Sequence, residues 1–292
     1  MNVLIVVKQS KYEWEKEKFC LTHEKIVHKY SKERANVDAI LSSYKKQLDV
    51  RNMVREFIPK ATMCFMAEAP DYLANNEYDL VVVLGGDNSF TFVSHSIKNT
   101  PVLGVNSDPE RSVGCLTRWA IRDIDDVLDL ATFIDFGEFS IEEWTRLEAV
   151  VDGELIVPAS NEYYLGERMA NKMSRHVLVY EGQEYEQKCS GIVVATGAGS
   201  TGWYNSICQE DFEPTLKNGA FIVREPYKPT PEGCYSGAIM PGEEILLYSL
   251  NDDEGMISVD SWEEFKFVRG SEARIHIGRP LNVVVPHGLV AK

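Results

Sequence analysis

Residues 79–90 read Asp79-Leu80-Val81-Val82-Val83-Leu84-Gly85-Gly86-Asp87-Asn88-Ser89-Phe90. The stretch 79–84 is almost continuously apolar, as a parallel strand covered on both faces should be, and Gly85-Gly86 ends it. A helix is expected next, running through Ser94 and Ile97, and 101–105 supplies another short buried strand. Upstream, 3–7 reads as a strand, and Val37, Ile40, Leu41, Tyr44 and Leu48 share one face of an amphipathic helix. This alternation predicts an α/β region built on an open, mainly parallel sheet. One more helix is expected over 122–133, capped by Asp123, with Ile124, Val127, Leu128 and Ala131 on its buried side.

Beyond that helix the texture changes. Short β-like runs occur at 145–151, 177–180, 191–195, 245–250, 256–259, 265–267, 275–277 and 281–285. Asp152-Gly153, Glu181-Gly182, Pro241-Gly242 and Arg269-Gly270 punctuate them as turns. The predicted fold class is therefore α/β plus all-β: an open parallel α/β domain over 1–120, a connecting helix and linker over 121–142, and a largely antiparallel β-rich domain over 143–292. The extreme C-terminus is left open to a return to the first domain. With no internal repeat and no long flexible linker, the two halves are expected to pack with a cleft between them.

Composition narrows the function classes. The 292 residues carry a formal charge of −15, which argues against wrapping a polyanion, because nucleic-acid binding is driven by many Lys and Arg contacts to phosphate. The same charge repels small anions unless a site supplies local cations, backbone N–H groups or a divalent metal. No apolar run reaches the roughly 18 to 20 residues of a bilayer span, so no membrane partner is expected. The chain enters a hydrophobic strand without a basic leader, and a cytoplasmic protein is expected. Cys20, Cys64, Cys115, Cys189, Cys208 and Cys234 are scattered and read as reduced thiols. His23, His28, His95, His176, His276 and His287 show no metal-ligand spacing and read as surface or packing residues. Asp252-Asp253-Glu254 reads as a turn rather than a calcium loop.

Three segments can carry chemistry. The first is 84–89, at the carboxyl end of a buried strand, where open α/β sheets bind ligands. Gly85 and Gly86 let the backbone approach a bulky anion, and the following N–H groups with the Ser89 hydroxyl can cradle phosphate. It is neither a Walker A loop nor a dinucleotide Gly-x-Gly-x-x-Gly turn. By itself, Gly-Gly-Asp-Asn is equally a tight turn. A carboxylate repels phosphate, so Asp87 earns its place there only by taking a proton from an attacking hydroxyl or helping to hold Mg²⁺. The second segment, 104–112, leaves the next strand at the same sheet edge and carries Arg111, a cation suited to phosphate. The third, Ala195-Thr196-Gly197-Ala198-Gly199-Ser200-Thr201-Gly202-Trp203, combines three glycines, three hydroxyls and an aromatic side chain. It can admit a dinucleotide, with Trp203 stacking or packing, or it is a glycine-rich hairpin.

In this order, Gly-Gly-Asp, Asn106-Ser107-Asp108-Pro109-Glu110-Arg111-Ser112, Asn161-Glu162 and Thr-Gly-Ala-Gly-Ser-Thr resemble the motifs of NAD kinases. That family belongs to a superfamily with the diacylglycerol and sphingosine kinases. The likeness is nearest to the mitochondrial-type branch and its bacterial relatives. Supporting stretches are Val7-Lys8-Gln9-Ser10-Lys11-Tyr12-Glu13, Asn161-Glu162-Tyr163-Tyr164-Leu165-Gly166-Glu167 and Cys189-Ser190-Gly191. The resemblance implies an ATP-dependent phosphotransferase acting on the adenosine-ribose 2′-hydroxyl of NAD, with Asp87 as catalytic carboxylate. It places ATP and its phosphates on Gly85, Gly86, Asn88, Ser89, Lys8, Asn106 and Arg111. NAD would be held by Asn161, Glu162, Thr196, Gly197, Gly199, Ser200, Thr201 and Trp203. It also implies Mg²⁺ carried with ATP, no tightly bound prosthetic group, and a homodimer or homotetramer.

Two positions depart from the family pattern. Asn88 stands where the family usually has glycine. If that position needs positive φ, Asn is the least costly replacement, although its side chain still crowds a phosphate. Gly202 stands where many relatives carry a side chain. The Asn88 departure keeps open a non-catalytic NAD- or NADP-binding homologue, and the superfamily keeps open a kinase for another hydroxyl substrate such as a lipid.

Overall fold

The computed structural model describes residues 1–137, 139–252 and 254–286. His287, Asp253 and the end of the expected C-terminal return lie outside the described residues. The chain divides into two compact units, one of Met1–Ile141 with the segment from Val283, the other of Glu142–Asn282.

The first unit begins with β1 (Val3–Val7) and the helices α1 (Lys11–Lys18), α2 (His23–Lys32) and α3 (Val37–Phe57). Then come β2 (Thr62–Phe65), α4 (Ala69–Asn75), β3 (Leu80–Gly85), α5 (Asp87–Ser94), β4 (Val102–Asn106), β5 (Trp119–Ala120), α6 (Ile124–Phe136) and β6 (Ser140–Trp144). Every residue of β1, β3 and β4 is buried, which is why these strands read as unbroken apolar runs rather than as alternations. β1 pairs in parallel with β2 and β3, and β3 in parallel with β4. The α1 helix went unnoticed in the hydrophobic pattern because Lys-Tyr-Glu-Trp-Glu-Lys-Glu-Lys has almost no apolar face. Its signal is the capping box, in which Ser10 accepts from the Glu13 amide while the Glu13 side chain accepts from the Ser10 amide.

Two boundaries differ from expectation. α5 stops at Ser94, and Ile97 is buried in the turn beyond it. Asp123 does cap α6, accepting from the Asp125 and Asp126 amides, but Ile124 and Leu128 are exposed. The buried line is Val127, Leu130 and Ile134, an i, i+3, i+7 stripe that satisfies helical period as well as the predicted one does.

The second unit holds β7 (Leu147–Val151), β8 (Glu154–Leu155), β9 (Glu162–Glu167), β10 (Ser174–Tyr180), β11 (Gln183–Cys189), β12 (Ile192–Ala195), β13 (Gly219–Val223), β14 (Ser236–Ile239), β15 (Glu244–Ser249), β16 (Gly255–Val259), β17 (Glu263–Lys266) and β18 (Glu272–Ile277). They form two six-stranded sheets, ordered β11-β10-β15-β18-β7-β8 and β14-β13-β12-β9-β16-β17. All the pairings recorded within them are antiparallel. One core draws on both, with Leu147, Leu247 and Ile275 from the first sheet and Tyr163, Val194, Phe221 and Ile257 from the second. His176 packs into this unit, its Nε2 2.9 Å from Gln187 Oε1; burial lowers its pKa to about 4.

The last strand, β19 (Leu281–Val285), corrects the expectation that 281–285 belongs with the antiparallel sheets. It lies in the first unit's seven-stranded sheet, between β4 and β6 in the order β2-β1-β3-β4-β19-β6, and it runs parallel to β4 with Val283 opposite Val102. Its composition already agrees with that place, since Val283 and Val284 are both fully buried although they point to opposite faces. Among the described residues no helix is long and apolar enough to cross a membrane.

Candidate functional site

In the first unit the chain leaves β1 for β2 on one side and comes back to β3 on the other. The carboxyl ends of β1 and β3 therefore flank a topological switch point, the place where open α/β sheets hold ligands. Lys8 follows β1 and is exposed, while Gly85-Gly86-Asp87 closes β3. A Cβ on Gly85 would stand 2.5 Å from Ser89 Oγ and 3.3 Å from Lys8 Cβ, and one on Gly86 would stand 2.9 Å from Ser112 Oγ. Gly85 is thus required by the fold of the turn itself, since its Cβ would also lie 2.7 Å from Ser89 Cβ, whereas at Gly86 only the rotatable Ser112 hydroxyl stands in the way. Ser89 is buried behind it.

Asp87 opens α5, where the helix dipole favours negative charge. Its Oδ1 accepts from the Leu116 amide and its Oδ2 from the Cys115 amide, both at 2.9 Å. Asn88 lies within α5 and is absent from the residues with left-handed backbone, so asparagine in place of glycine carries no conformational penalty here. Asn106, at the end of β4, is buried and spends both ends of its amide on its own loop. Nδ2 donates to Ser112 O at 3.0 Å, and Oδ1 accepts from the Asp108 amide at 3.1 Å. Arg111 Nη1 is 3.5 Å from Asp108 Oδ1, and Asp108 Oδ2 accepts from Ser43 Oγ at 2.5 Å.

In the second unit, the two remaining motifs stand side by side. β9 begins at Glu162 and β12 ends at Ala195, which are opposite each other in the ladder, and the Thr196 amide donates to Asn161 O at 2.8 Å. The chain then turns into a helical segment over 197–208, in which Ser200–Tyr204 is wound wider, with Gly202 departing from helical values (φ −99°, ψ −116°). The alternative of a glycine-rich hairpin is therefore excluded. Thr196 caps the segment: its Oγ1 accepts from the Gly199 amide at 3.0 Å and donates to Ser160 O at 2.6 Å. Ser200 Oγ is 2.7 Å from Gly197 O and accepts from the Phe212 amide at 2.9 Å. Both hydroxyls are wholly buried, so they build the turn. Thr201 is exposed and bonds Ala198 O at 3.1 Å.

Gly197 and Gly199 admit backbone rather than open space. A Cβ would meet Glu213 O at 2.3 Å from Gly197 and Asn161 O at 2.1 Å from Gly199. At Gly202 a Cβ would meet nothing within 4 Å, which agrees with a side chain being tolerated there. Trp203 packs: it stacks on Tyr164 with ring centroids 5.1 Å apart at 26°, and the Arg224 guanidinium covers its ring at 4.6 Å.

A residue the sequence reading missed organises this corner. Asp260, just past β16 with φ 48°, accepts from the Ser160 amide through Oδ2 and from the Asn161 and Glu162 amides through Oδ1, at 2.8–2.9 Å. It pins the Asn161-Glu162 backbone from 98 to 100 residues away, a contact with no local signature beyond an aspartate after a strand. Burial first, then the Asp260 charge, push the Glu162 carboxyl up to about 8. The Asn161 side-chain oxygen is buried and accepts no hydrogen bond from the described residues.

No protein-family model matches the chain. Among curated proteins it is 30% identical over 187 residues to the NAD kinase of Halobacterium salinarum, covering 62% of this chain and 65% of that one. It is 23% identical over 200 residues to the NAD kinase of Thermoplasma volcanium, covering 68% and 70%. A probable NADH kinase of Oryza sativa subsp. japonica aligns at 24% over 267 residues, covering 82% and 81%. The chain thus spans about two thirds of the length of the first curated relatives it matches. The fold is shared with the crystal structure of an NAD kinase from Archaeoglobus fulgidus in complex with ATP (TM-score 0.63, 20% identity, 97% and 93% covered). It is also shared with yeast NADH kinase complexed with NADH (TM-score 0.65, 14% identity, 98% and 84% covered).

The chain is similar in sequence to NAD and NADH kinases and shares the fold of two of their solved structures. The resemblance drawn from the ordered motifs therefore holds, and so does the two-part fold of parallel and antiparallel sheets. In this chain the first unit brings Lys8, the Gly85-Gly86-Asp87 turn, Asn88 and Ser89 to one sheet edge. The second unit brings Asn161, Glu162 and the 196–203 segment to another. Several of the motif residues serve the chain's own backbone: Gly197, Gly199, Thr196, Ser200 and Asn106 all have intramolecular reasons for their identity.

Proposed function

We propose that this protein is a NAD kinase that transfers the terminal phosphate of ATP to the adenosine-ribose 2′-hydroxyl of NAD. The observation that carries this reading is a single carboxylate, Asp87, held in the first helical turn after a glycine pair at the sheet's switch point, in a chain whose curated relatives are NAD and NADH kinases. Asp87 takes the proton of the ribose hydroxyl. A carboxylate has about four lone-pair sites, and two are used by the Cys115 and Leu116 amides, which leaves it able to accept while held in place. The N–H groups at the start of α5 and the exposed Lys8 receive the donor's phosphates. Asn161, with its unpaired buried oxygen, and Glu162 receive the dinucleotide.

Among the described residues no group of three or more acidic, histidine or cysteine side chains gathers as a metal cage. Mg²⁺ would be carried on the triphosphate, as the family resemblance implies, keeping most of its waters and neutralising charge on the phosphates. The cytoplasm as compartment and a homodimeric or homotetrameric assembly complete the proposal on the strength of the family resemblance. Asn88 sits in a right-handed helix, which removes the backbone penalty from the case for a non-catalytic homologue, and a lipid substrate is not favoured by relatives named for NAD and NADH.

Purified protein incubated with NAD, Mg²⁺ and ATP is expected to form NADP, read as NADPH after a coupled dehydrogenase step, with NADH as a parallel acceptor. Asp87→Asn should lower kcat by about 10²- to 10⁴-fold, the usual worth of a positioned general base. Absence of product with ATP, another nucleoside triphosphate and polyphosphate would remove the catalytic assignment.

A further inference from the structure

The loop between β4 and β5 does more than connect strands. Residues 107–114 leave Asn106 and come back against it, and the chain then delivers two consecutive amides, Cys115 N and Leu116 N, to the two oxygens of Asp87. Asn106 closes the loop at both ends, through Ser112 O and the Asp108 amide. Gly114 makes the reversal in left-handed conformation, φ 72°, and a Cβ there would lie 2.6 Å from Asn106 Nδ2 and 2.5 Å from Thr117 Oγ1. Thr117 Oγ1 in turn donates to Gly114 O at 3.1 Å. The loop's base is tied to the same strand end that carries Asp87, since the Ser107 amide donates to Gly85 O at 3.0 Å.

We propose that Asn106 is a positioning residue for Asp87: its amide holds the 107–114 loop in the one shape that presents the Cys115 and Leu116 amides to the Asp87 carboxylate. This gives Asn106 a holding role in place of phosphate contact, because it is buried and both Nδ2 and Oδ1 are engaged by its own loop. The proposal rests on Asp87 being the catalytic carboxylate. Asn106 bonds Ser112 O and the Asp108 amide rather than Asp87, so its effect passes through the loop to the orientation of that one side chain. A carboxylate freed from both amides rotates about two side-chain torsions, and misplacement of a reacting group by about 1 Å costs on the order of 100-fold.

The test is a double-mutant cycle with a readout independent of activity. Asn106→Ala is expected to lower kcat about 10- to 100-fold with KM for ATP and NAD changed less than about twofold. In an Asp87→Asn background the same change should cost less than about twofold, because the interaction it serves is already gone. Gly114→Ala, which attacks the turn from the other side, should reproduce both results should Asn106→Ala fail to fold. In parallel, hydrogen exchange at the Cys115 and Leu116 amides should accelerate at least about tenfold in Asn106→Ala and in Asp87→Ala alike. Additive losses in the cycle, or unchanged protection of those amides in Asn106→Ala, would overturn the proposal. If the wild-type protein makes no NADP while both amides lose protection, the catalytic reading fails and the holding role of Asn106 stands.

Discussion

At the scale of single residues, the sharpest chemical oddity is Glu162, a carboxyl that burial and the neighbouring Asp260 push up to about 8. At neutral pH it is chiefly a neutral acid and can donate a hydrogen bond, which an ionised glutamate cannot do. If it holds the dinucleotide in that form, affinity for NAD should be flat through pH 7 and decline as pH rises past 8. Glu162→Gln, a permanent donor of the same shape, should bind within a few-fold of wild type at pH 7 and lose that alkaline decline. Calorimetric titration with NAD at pH 6.5, 7.5 and 9 measures this, and a wild-type profile matching that of Glu162→Gln would sink the idea. The same pKa bears on stability: with the folded value raised above the usual carboxylate value of 4.5, the folded state binds the extra proton between 4.5 and about 8, so this group's contribution falls as pH rises through that window. Glu162 itself was legible in the sequence through the motif it belongs to. Asp260 was not, because a long-range carboxylate-to-amide bond leaves no spacing to read.

At the scale of elements, legibility followed burial. β1, β3 and β4 announced themselves because both faces are covered, whereas α1, a charged helix with almost no apolar face, has little hydrophobic period to detect. The 195–203 segment shows how a correct motif can carry an incorrect picture. Its glycines were read as clearance for a ligand, yet at Gly197 and Gly199 the clearance is filled by Glu213 and Asn161 backbone. Composition alone cannot say whether the neighbour of a glycine is a ligand or the chain. Gly199→Ala should therefore act on the element before it acts on substrate. A methyl group 2.1 Å from Asn161 O forces the helical segment away from the start of β9, at a cost typical of overpacking, about 1–3 kcal/mol. Gly202→Ala, whose methyl group meets nothing within 4 Å, lacks that clash and should destabilise less than Gly199→Ala. Denaturant unfolding of the two variants side by side decides the matter: equal midpoints would show that the glycine at 199 is not a packing requirement.

At the scale of the whole molecule, the order of the chain sets what can fold alone. The second unit is one continuous stretch, 142–282, while the first is completed only when β19 returns to lie between β4 and β6. A fragment spanning 142–282 contains both antiparallel sheets and the core they share, and should unfold in one cooperative transition. A chain stopped at residue 280 should keep that transition and lose the other. Leu281, Val283 and Val284 are at most 1% exposed, and at roughly 1.5–3 kcal/mol for each buried aliphatic side chain their removal costs about 5–9 kcal/mol. That is comparable with the roughly 5–15 kcal/mol by which a domain is stable at all, and it also bares the edge of β4 at Val102, where β19 pairs, an invitation to aggregate. Calorimetry on the 1–280 chain should accordingly show a single transition matching the 142–282 fragment, with hydrogen exchange unprotected in β1, β3 and β4. Persistence of protected amides in those strands would mean that the parallel sheet closes without its last strand, and that the return of the chain is dispensable to the turn bearing Asp87.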